Sequence, residues 1–151
     1  MRVLVAAFGN ELRGDDGFGI AVLRRLEAEP RRQGVTLVEV GTAGIHLAQE
    51  LLSPFERLIV IDAVRRGAAP GTVCVLKIEA VPDVSEIDMH VTVPADALAV
   101  ARALDRLPDD AFLVGCEPAE VDELTWELSP AVRAAVPEAA RRVRALLEGE
   151  G

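Results

Sequence analysis

Short apolar runs bounded by turn residues recur along the chain and predict buried strands. The first run ends in Gly9-Asn10, a pair typical of a turn, and the run Leu58-Ile59-Val60-Ile61 has the continuous character of a strand buried on both faces. The predicted strands are residues 3–8, 35–40, 57–62, 72–78 and 111–116.

Between these runs the apolar positions change to helical spacing. Phe18, Ala21, Val22 and Leu26 share one helical face, and Pro30 follows as a stop. Near the carboxyl end, Ser129-Pro130 is a typical helix start, with an N-cap residue followed by proline at the first helical position. The predicted helices are residues 17–29, 45–52, 94–107 and 129–147.

Alternating strands and helices predict an α/β fold, a three-layer sandwich around a mainly parallel central sheet. Residues 72–78 are expected to be antiparallel, because the connection from the preceding strand is too short for a crossover helix. The 151 residues fit one domain, residues 1–151, and we find no internal repeat or linker.

Amino-acid composition limits the kinds of partner and the cellular compartment that we expect for this protein. Half of the residues are apolar, which is a globular balance, and no apolar run approaches the roughly 20 residues of a membrane span. With 25 acidic and 16 basic residues the net charge is −9, so nucleic acid is not an expected partner. The two cysteines lack the spacing of a zinc or disulfide framework. We therefore expect a cytoplasmic protein without membrane insertion, and a monomer whose last helix packs on the sheet.

Acidic residues follow several predicted strands, and the carboxyl ends of parallel strands meet at one edge of a sheet. Asp15 and Asp16 follow the first strand, Asp62 ends the third and Glu117 follows the last. Two carboxylates about 4 Å apart repel by roughly 4 kcal/mol at an effective dielectric constant near 20, so such a cluster either protonates or binds a cation. Asp16 and Asp62 together with His90 form a ligand set suited to zinc, nickel, manganese or iron.

Other chemistries are poorly supported. Gly9 and Gly14 have the spacing of a P-loop, but Asp15-Asp16 occupy the positions of its lysine and hydroxyl residue. The dinucleotide fingerprint is absent, and no serine lies in a nucleophile elbow. Cys74 and Cys116 are interpreted as buried small hydrophobes.

An ordered set of short motifs resembles the nickel-iron hydrogenase maturation endopeptidases and covers most of the chain. The motifs are Gly9-Asn10, Gly14-Asp15-Asp16-Gly17-Phe18-Gly19, Gly41-Thr42-Ala43-Gly44, Ile61-Asp62-Ala63, a histidine at His90, Gly115-Cys116-Glu117-Pro118 and Leu128-Ser129-Pro130-Ala131-Val132.

The resemblance implies an endopeptidase that removes a C-terminal extension from a hydrogenase large-subunit precursor after nickel insertion. It implies that Asp16, Asp62 and His90 contact the nickel, which the precursor carries in, or another divalent transition metal in its place. It also implies that the turn Gly41, Thr42, Ala43 and Gly44 meets the substrate near the cleaved bond.

Two mechanisms are consistent with these residues. In one, the metal polarises the scissile carbonyl or activates water; in the other, Asp15, Asp16 or Asp62 is the general base and the metal positions the tail. His46 is expected to be a surface or boundary residue of a helix, with no part in the site.

Two alternative functions come from other classes. A magnesium-binding receiver-like signalling domain also has an acidic pair after the first strand, but that pair directly follows the strand and a lysine follows the last strand, whereas the only lysine here is Lys77. A non-catalytic scaffold would bind the precursor without cleaving it.

Overall fold

A five-stranded sheet organises the protein in a computed structural model that describes residues 1–41, 45–78, 106–119, 121 and 123–149. The strands are β1 (Val3–Phe8), β2 (Val35–Gly41), β3 (Arg57–Ala63), β4 (Val73–Lys77) and β5 (Asp110–Cys116). Their order across the sheet is β2-β1-β3-β5-β4, and only the β4–β5 pair is antiparallel. The predicted α/β class and the antiparallel strand are therefore confirmed.

The helices of the described residues are α1 (Phe18–Glu27), α2 (Ile45–Glu50) and α3 (Pro130–Leu147). The prediction placed the start of α1 too early, because residues Gly14–Gly17 form a separate 3-10 turn before it. Most of the predicted helix 94–107 lies outside the described residues, and of its last two positions neither Arg106 nor Leu107 is helical. No helix in the described part of the chain has the length and hydropathy to cross a membrane.

Each face of the sheet has its own core, and β3 contributes to both. Ile59 and Ile61 face α1 and α3, while Leu58 and Val60 face α2, and all four side chains are fully buried. This alternation explains the uninterrupted apolar run, because a strand covered on both faces has no polar side. The three layers are thus α1 with α3, the sheet, and α2.

The chain reverses direction across the sheet at β1. The β1–α1–β2 crossover leads to one side of β1, whereas β2–α2–β3 returns to the other side. In parallel sheets this reversal opens a crevice at the carboxyl ends of the two neighbouring strands, here β1 and β3. Gly19 brings α1 directly onto this edge, since a Cβ there would lie 2.4 Å from the Phe8 carbonyl oxygen and 2.6 Å from that of Ile61.

The opposite edge of the sheet is tied together by Arg57. This buried guanidinium donates from Nη1 to the carbonyl of Leu146 at 2.7 Å and from Nε to Asp110 Oδ2 at 2.7 Å. It also lies over the ring of Phe112 at 5.0 Å. The amino ends of β3 and β5 are thereby joined to the end of α3.

Candidate active site

Asp62 occupies the carboxyl end of β3 and is the more deeply buried of the two carboxylates in the crevice. Its side chain is 4% exposed, and Oδ1 accepts a hydrogen bond from the Ala63 N–H at 2.8 Å. Burial raises the pKa of Asp62 well above the ordinary range of an aspartate, and the neighbouring Asp16 charge raises it further, while the Ala63 N–H opposes the rise. The buried position of Asp62 and the nearby Asp16 charge therefore both make ionisation of Asp62 less favourable than that of an exposed aspartate.

Asp16 approaches Asp62 from the turn before α1 and is partly exposed. Its Oδ2 accepts a hydrogen bond from the Asn10 N–H at 3.0 Å, and its backbone carbonyl lies 3.2 Å from the same nitrogen. The charge of Asp16 is close enough to act on the pKa of Asp62. The structure thus brings together two of the three predicted metal ligands.

Gly9 is the residue that allows this approach. Its φ is +124°, and a Cβ at this position would lie 2.0 Å from the Asp16 carbonyl oxygen and 3.7 Å from Asp62 Oδ1. No side chain fits there without moving the Asp16 turn away from Asp62. Sequence reasoning noted Gly9-Asn10 as a turn and missed that both residues hold Asp16 in place; the strand-Gly-Asn sequence was the available indication.

Asp15 is adjacent to Asp16 but is fully buried and points into a different environment. Its Oδ2 accepts from the Ala119 N–H and the Ser129 hydroxyl, both at 2.8 Å, and its Oδ1 accepts from the Ser129 N–H at 2.7 Å. The carboxylate therefore fastens the 3-10 turn to the loop after β5 and to the start of α3. This geometry favours a positioning role over the catalytic role predicted for Asp15.

Ser129 is at the predicted N-cap position, with Pro130 first in the helix, but it does not cap α3 through its side chain. Its hydroxyl donates to Asp15 instead. The predicted start of α3 is confirmed, with Ser129 at the N-cap position. The Ser129 side chain is used as a donor to a buried carboxylate, and its oxygen accepts no hydrogen bond from the first turn of the helix.

Glu117, which the sequence grouped with the acidic cluster, has a similar fastening geometry. It is 7% exposed, and its carboxylate accepts from the Arg66 N–H at 2.7 Å and the Gly67 N–H at 3.2 Å. These bonds hold the segment that follows Asp62. The Glu117 carboxylate therefore binds backbone N–H groups of the loop after β3.

The turn predicted to meet substrate begins at the crevice. Gly41 has a φ of +66°, and its carbonyl accepts a hydrogen bond from the Gly9 N–H at 2.9 Å. Thr42, Ala43 and Gly44 lie outside the described residues, as does His90.

Asp16 and Asp62 supply two carboxylate ligands, which is fewer than a metal ion needs for a complete coordination sphere. Within the described ranges no group of three or more His, Cys, Asp or Glu side chains is placed to hold a metal ion. His46 is an exposed residue of α2, as expected.

Cys116 lies at the end of β5 and is fully buried. Burial raises the pKa of its thiol to about 12, with a further rise from the Asp15 charge. A thiol with this pKa is not a nucleophile near neutral pH, so the interpretation of Cys116 as a buried hydrophobe is confirmed. Cys74 is only partly buried, so the same interpretation was too strong for it.

The family profile of the hydrogenase maturation proteases matches residues 20–145 of this chain. The chain belongs to the hydrogenase maturation protease family. It is similar to the hydrogenase expression/formation protein HupD of Rhodobacter capsulatus, with 36% identity over 95% of this chain and 72% of the relative.

Solved structures of maturation proteases share the fold. The hydrogenase maturating endopeptidase HybD from E. coli is 31% identical, with a TM-score of 0.88 over 99% of this chain and 93% of that one. The [NiFe] hydrogenase maturation protease HybD from Thermococcus kodakarensis is 32% identical, with a TM-score of 0.79 over 97% and 99% of the two chains. This maturation protease is therefore a peptidase.

The receiver-like alternative does not fit this maturation protease. A receiver needs both members of its acidic pair free to hold magnesium, whereas here Asp15 accepts three hydrogen bonds from protein donors. The only lysine, Lys77, ends β4 and does not follow the last strand of the sheet.

Proposed function

We propose that this maturation protease removes the C-terminal extension of a nickel-iron hydrogenase large-subunit precursor after nickel insertion, and that Asp16, Asp62 and His90 contact the nickel. The observation that carries the proposal is the pairing of Asp16 with the buried Asp62 at the carboxyl edge of the sheet. Two carboxylates in this position form the larger part of a cation site.

The electrostatics of the pair explain a preference for a nickel-loaded precursor. Burial and the Asp16 charge raise the pKa of Asp62, because both make its negative charge unfavourable, and a divalent cation beside the pair would oppose both effects. A precursor that carries its own divalent ion gains attraction from both carboxylates, whereas a metal-free precursor gains none. The carboxylates thus discriminate between finished and unfinished precursors through differential binding.

His90 is proposed as the third ligand on the strength of the motif order. An imidazole nitrogen beside two carboxylate oxygens suits nickel and its neighbours among the divalent transition metals, so another such ion is expected to substitute in vitro. The metal is part of the substrate in this scheme, and no resident cofactor is needed.

Hydrolysis of the tail requires a base for water and an acid for the leaving amine. We assign the base to Asp16, because its carboxylate is the more exposed of the pair and is within reach of water. Water adds to the scissile carbonyl carbon and its proton passes to Asp16; the C–N bond then breaks and the same proton passes to the leaving nitrogen. Asp62 holds the nickel beside the bond, and Asp15 positions the turn that bears Asp16.

The turn beginning at Gly41 is proposed to bind the extension next to the cleaved bond. Gly9 and Gly41 share a hydrogen bond, so this turn starts at the same crevice as the paired carboxylates. An extended tail crossing the edge of the sheet would meet both.

Mass spectrometry of the precursor tests the proposal. The protein is incubated with nickel-loaded precursor and with its metal-free form, and we expect cleavage of the first only. Asp16→Ala, Asp62→Ala and His90→Ala should each lower cleavage by at least about 100-fold, the scale expected for loss of a key catalytic or ligand group. His46→Ala is the matched control, since His46 is exposed on α2. Full activity of all three site variants would contradict the assignment.

We also propose that the protein works in the cytoplasm as a monomer. Both cysteines are free, as expected in a reducing compartment, and α3 packs its apolar face on the sheet. Cell fractionation and light scattering of the purified protein test these two points.

A further inference from the structure

Three large apolar side chains are exposed close to the crevice and have no role in the core. Leu12 is 44% exposed, Leu124 is 83% exposed and Trp126 is 72% exposed. We call these three residues the apolar patch. Trp126 is the only tryptophan of the chain, and tryptophan is the residue type most enriched among those that dominate binding energy at protein interfaces.

Backbone pairing joins the patch into one surface. Arg13 and Thr125 form a parallel bridge in which the Thr125 N–H donates to the Leu12 carbonyl and the Gly14 N–H donates to the Thr125 carbonyl, both at 2.9 Å. The bridge therefore places Leu12 next to the segment that carries Leu124 and Trp126.

The patch is continuous with the candidate active site. Leu12 and Asp16 lie in one loop, closed by the bond from the Leu12 N–H to Asn10 Oδ1 at 2.9 Å and by the bond from the Asn10 N–H to Asp16 Oδ2 at 3.0 Å. Four residues of chain span at most about 14 Å, so a protein engaged at Asp16 also reaches the patch.

The surroundings of the patch are acidic. Glu11 precedes Leu12, Glu123 precedes Leu124 and Glu127 follows Trp126, so three acidic residues border the patch against one basic residue, Arg13, in a chain of net charge −9. The complementary surface is therefore an apolar projection bordered by lysine or arginine side chains. A second copy of this chain carries the same excess of acidic charge, so mutual repulsion disfavours it as the occupant.

We propose that the apolar patch is the docking surface for the folded body of the large-subunit precursor, beside the tail that enters the crevice. The inference rests on the proposed function, which requires the substrate to be a folded, metal-loaded protein. Stable recognition of a folded protein takes an interface of about 1,200–2,000 Å², more than a tail of a few residues supplies. The patch supplies contact area outside the crevice, and its removal weakens binding without changing the chemistry.

Steady-state cleavage of nickel-loaded precursor tests whether the patch contributes to binding and not to the chemical step. The double variant Leu124→Ser/Trp126→Ala should raise KM by about tenfold or more with kcat within about twofold of the unsubstituted protein. Both residues are exposed, so the variant should keep its Tm. Leu52→Ser is the matched control, because Leu52 is 56% exposed in the loop between α2 and β3, at the amino edge of the sheet, and should leave KM unchanged. An unchanged KM in the double variant overturns the proposal.

A binding measurement separates failure of docking from failure of the proposed function. With 5-fluorotryptophan in place of its single tryptophan, the protein gives one ¹⁹F resonance, from Trp126. Unlabelled precursor should shift or broaden that resonance whether or not the tail is cleaved. A shift without cleavage supports docking and removes the endopeptidase assignment, whereas cleavage with an unaltered resonance removes the docking surface alone. A dimer of the free protein that dissociates in the double variant would assign the patch to a second copy and overturn the proposal.

Discussion

Ser129 donates both its backbone N–H and its hydroxyl to the buried carboxylate of Asp15, across 114 positions of sequence. The Ala119 N–H donates to the same carboxylate at 2.8 Å. The turn that presents Asp16 is therefore fixed to the start of α3 rather than only to its own strand.

Removal of the Asp15 carboxylate should be costly to stability. Asp15→Ala leaves three buried or partly buried donors without their acceptor, and we expect a loss of about 3–5 kcal/mol in the free energy of unfolding. Ser129→Ala removes only the hydroxyl bond and should cost about 1–2 kcal/mol. Urea unfolding of both variants and of the double variant measures this. Strictly additive losses would mean that the two residues do not interact.

Gly9→Ala should disrupt the carboxylate pair. Its Cβ would lie 2.0 Å from the Asp16 carbonyl oxygen at a φ of +124°, so the turn must move and cleavage should fall by about 100-fold, as 1 Å misplacements in active sites commonly do. Gly67→Ala is the control, because Gly67 also has a positive φ, +81°, but nothing lies within 4 Å of its Cβ. That control should cost only about 1–2 kcal/mol of backbone strain and retain cleavage. Equal activities of the two variants would show that the close contact at Gly9 is unimportant.

Asp62→Asn should stabilise the free protein at neutral pH. The pKa of Asp62 is raised by burial and by Asp16, so the folded state prefers the neutral acid, and stability is lost as pH rises above the ordinary pKa of an aspartate. The amide is neutral throughout, and its Tm should exceed that of the unsubstituted protein by an amount that grows as the pH rises above the ordinary pKa of an aspartate.

Asp109→Asn, at an exposed position before β5, controls for net charge in this comparison. A Tm difference for Asp62→Asn that is independent of pH would contradict the prediction. Cleavage by Asp62→Asn should be lost despite the higher Tm, as expected where a functional site is maintained at the expense of stability.

The two thiols should react at very different rates in the folded protein. Cys116 is fully buried and its pKa is raised to about 12, whereas Cys74 is partly exposed. A thiol-reactive dye should label Cys74 first, and label Cys116 only on unfolding. The variant Cys74→Ser should therefore show no fast phase. A fast phase that persists in Cys74→Ser would show that Cys116 is accessible.

Sequence periodicity was sufficient for the sheet and for α1 and α3, because buried strands and amphipathic helices repeat their apolar positions. It was insufficient for the 3-10 turn, since Gly14–Gly17 has no apolar repeat to reveal it. The same turn explains why the sequence could not distinguish the role of Asp15 from that of Asp16. Asp15 is fully buried and Asp16 is partly exposed, and adjacent residues of identical type carry no indication of which one faces the crevice.

The strand-end argument correctly predicted that Asp62 and the acidic pair after β1 lie at the same edge of the sheet, because it depends on parallel topology. It could not show that Asp16 is the member of the pair near Asp62, which depends on the Gly9 and Asn10 contacts. It could not foresee that Glu117, also at a strand end, turns its carboxylate to the Arg66 and Gly67 N–H groups. Unpaired backbone donors in a loop compete with a metal for a carboxylate, and their positions are known only once the loop is folded.

The contacts of Arg57 that stabilise the fold lie far from the residues of the candidate active site. The bonds of Arg57 to Leu146 and Asp110 lie at the amino ends of the strands, at the far end of β3 from Asp62. Substitutions that tighten this region, such as helix-favouring changes on the solvent face of the last turns of α3, can therefore accumulate without touching the crevice. This region is therefore the first place to introduce stabilising substitutions, and natural variation there is equally unconstrained by catalysis.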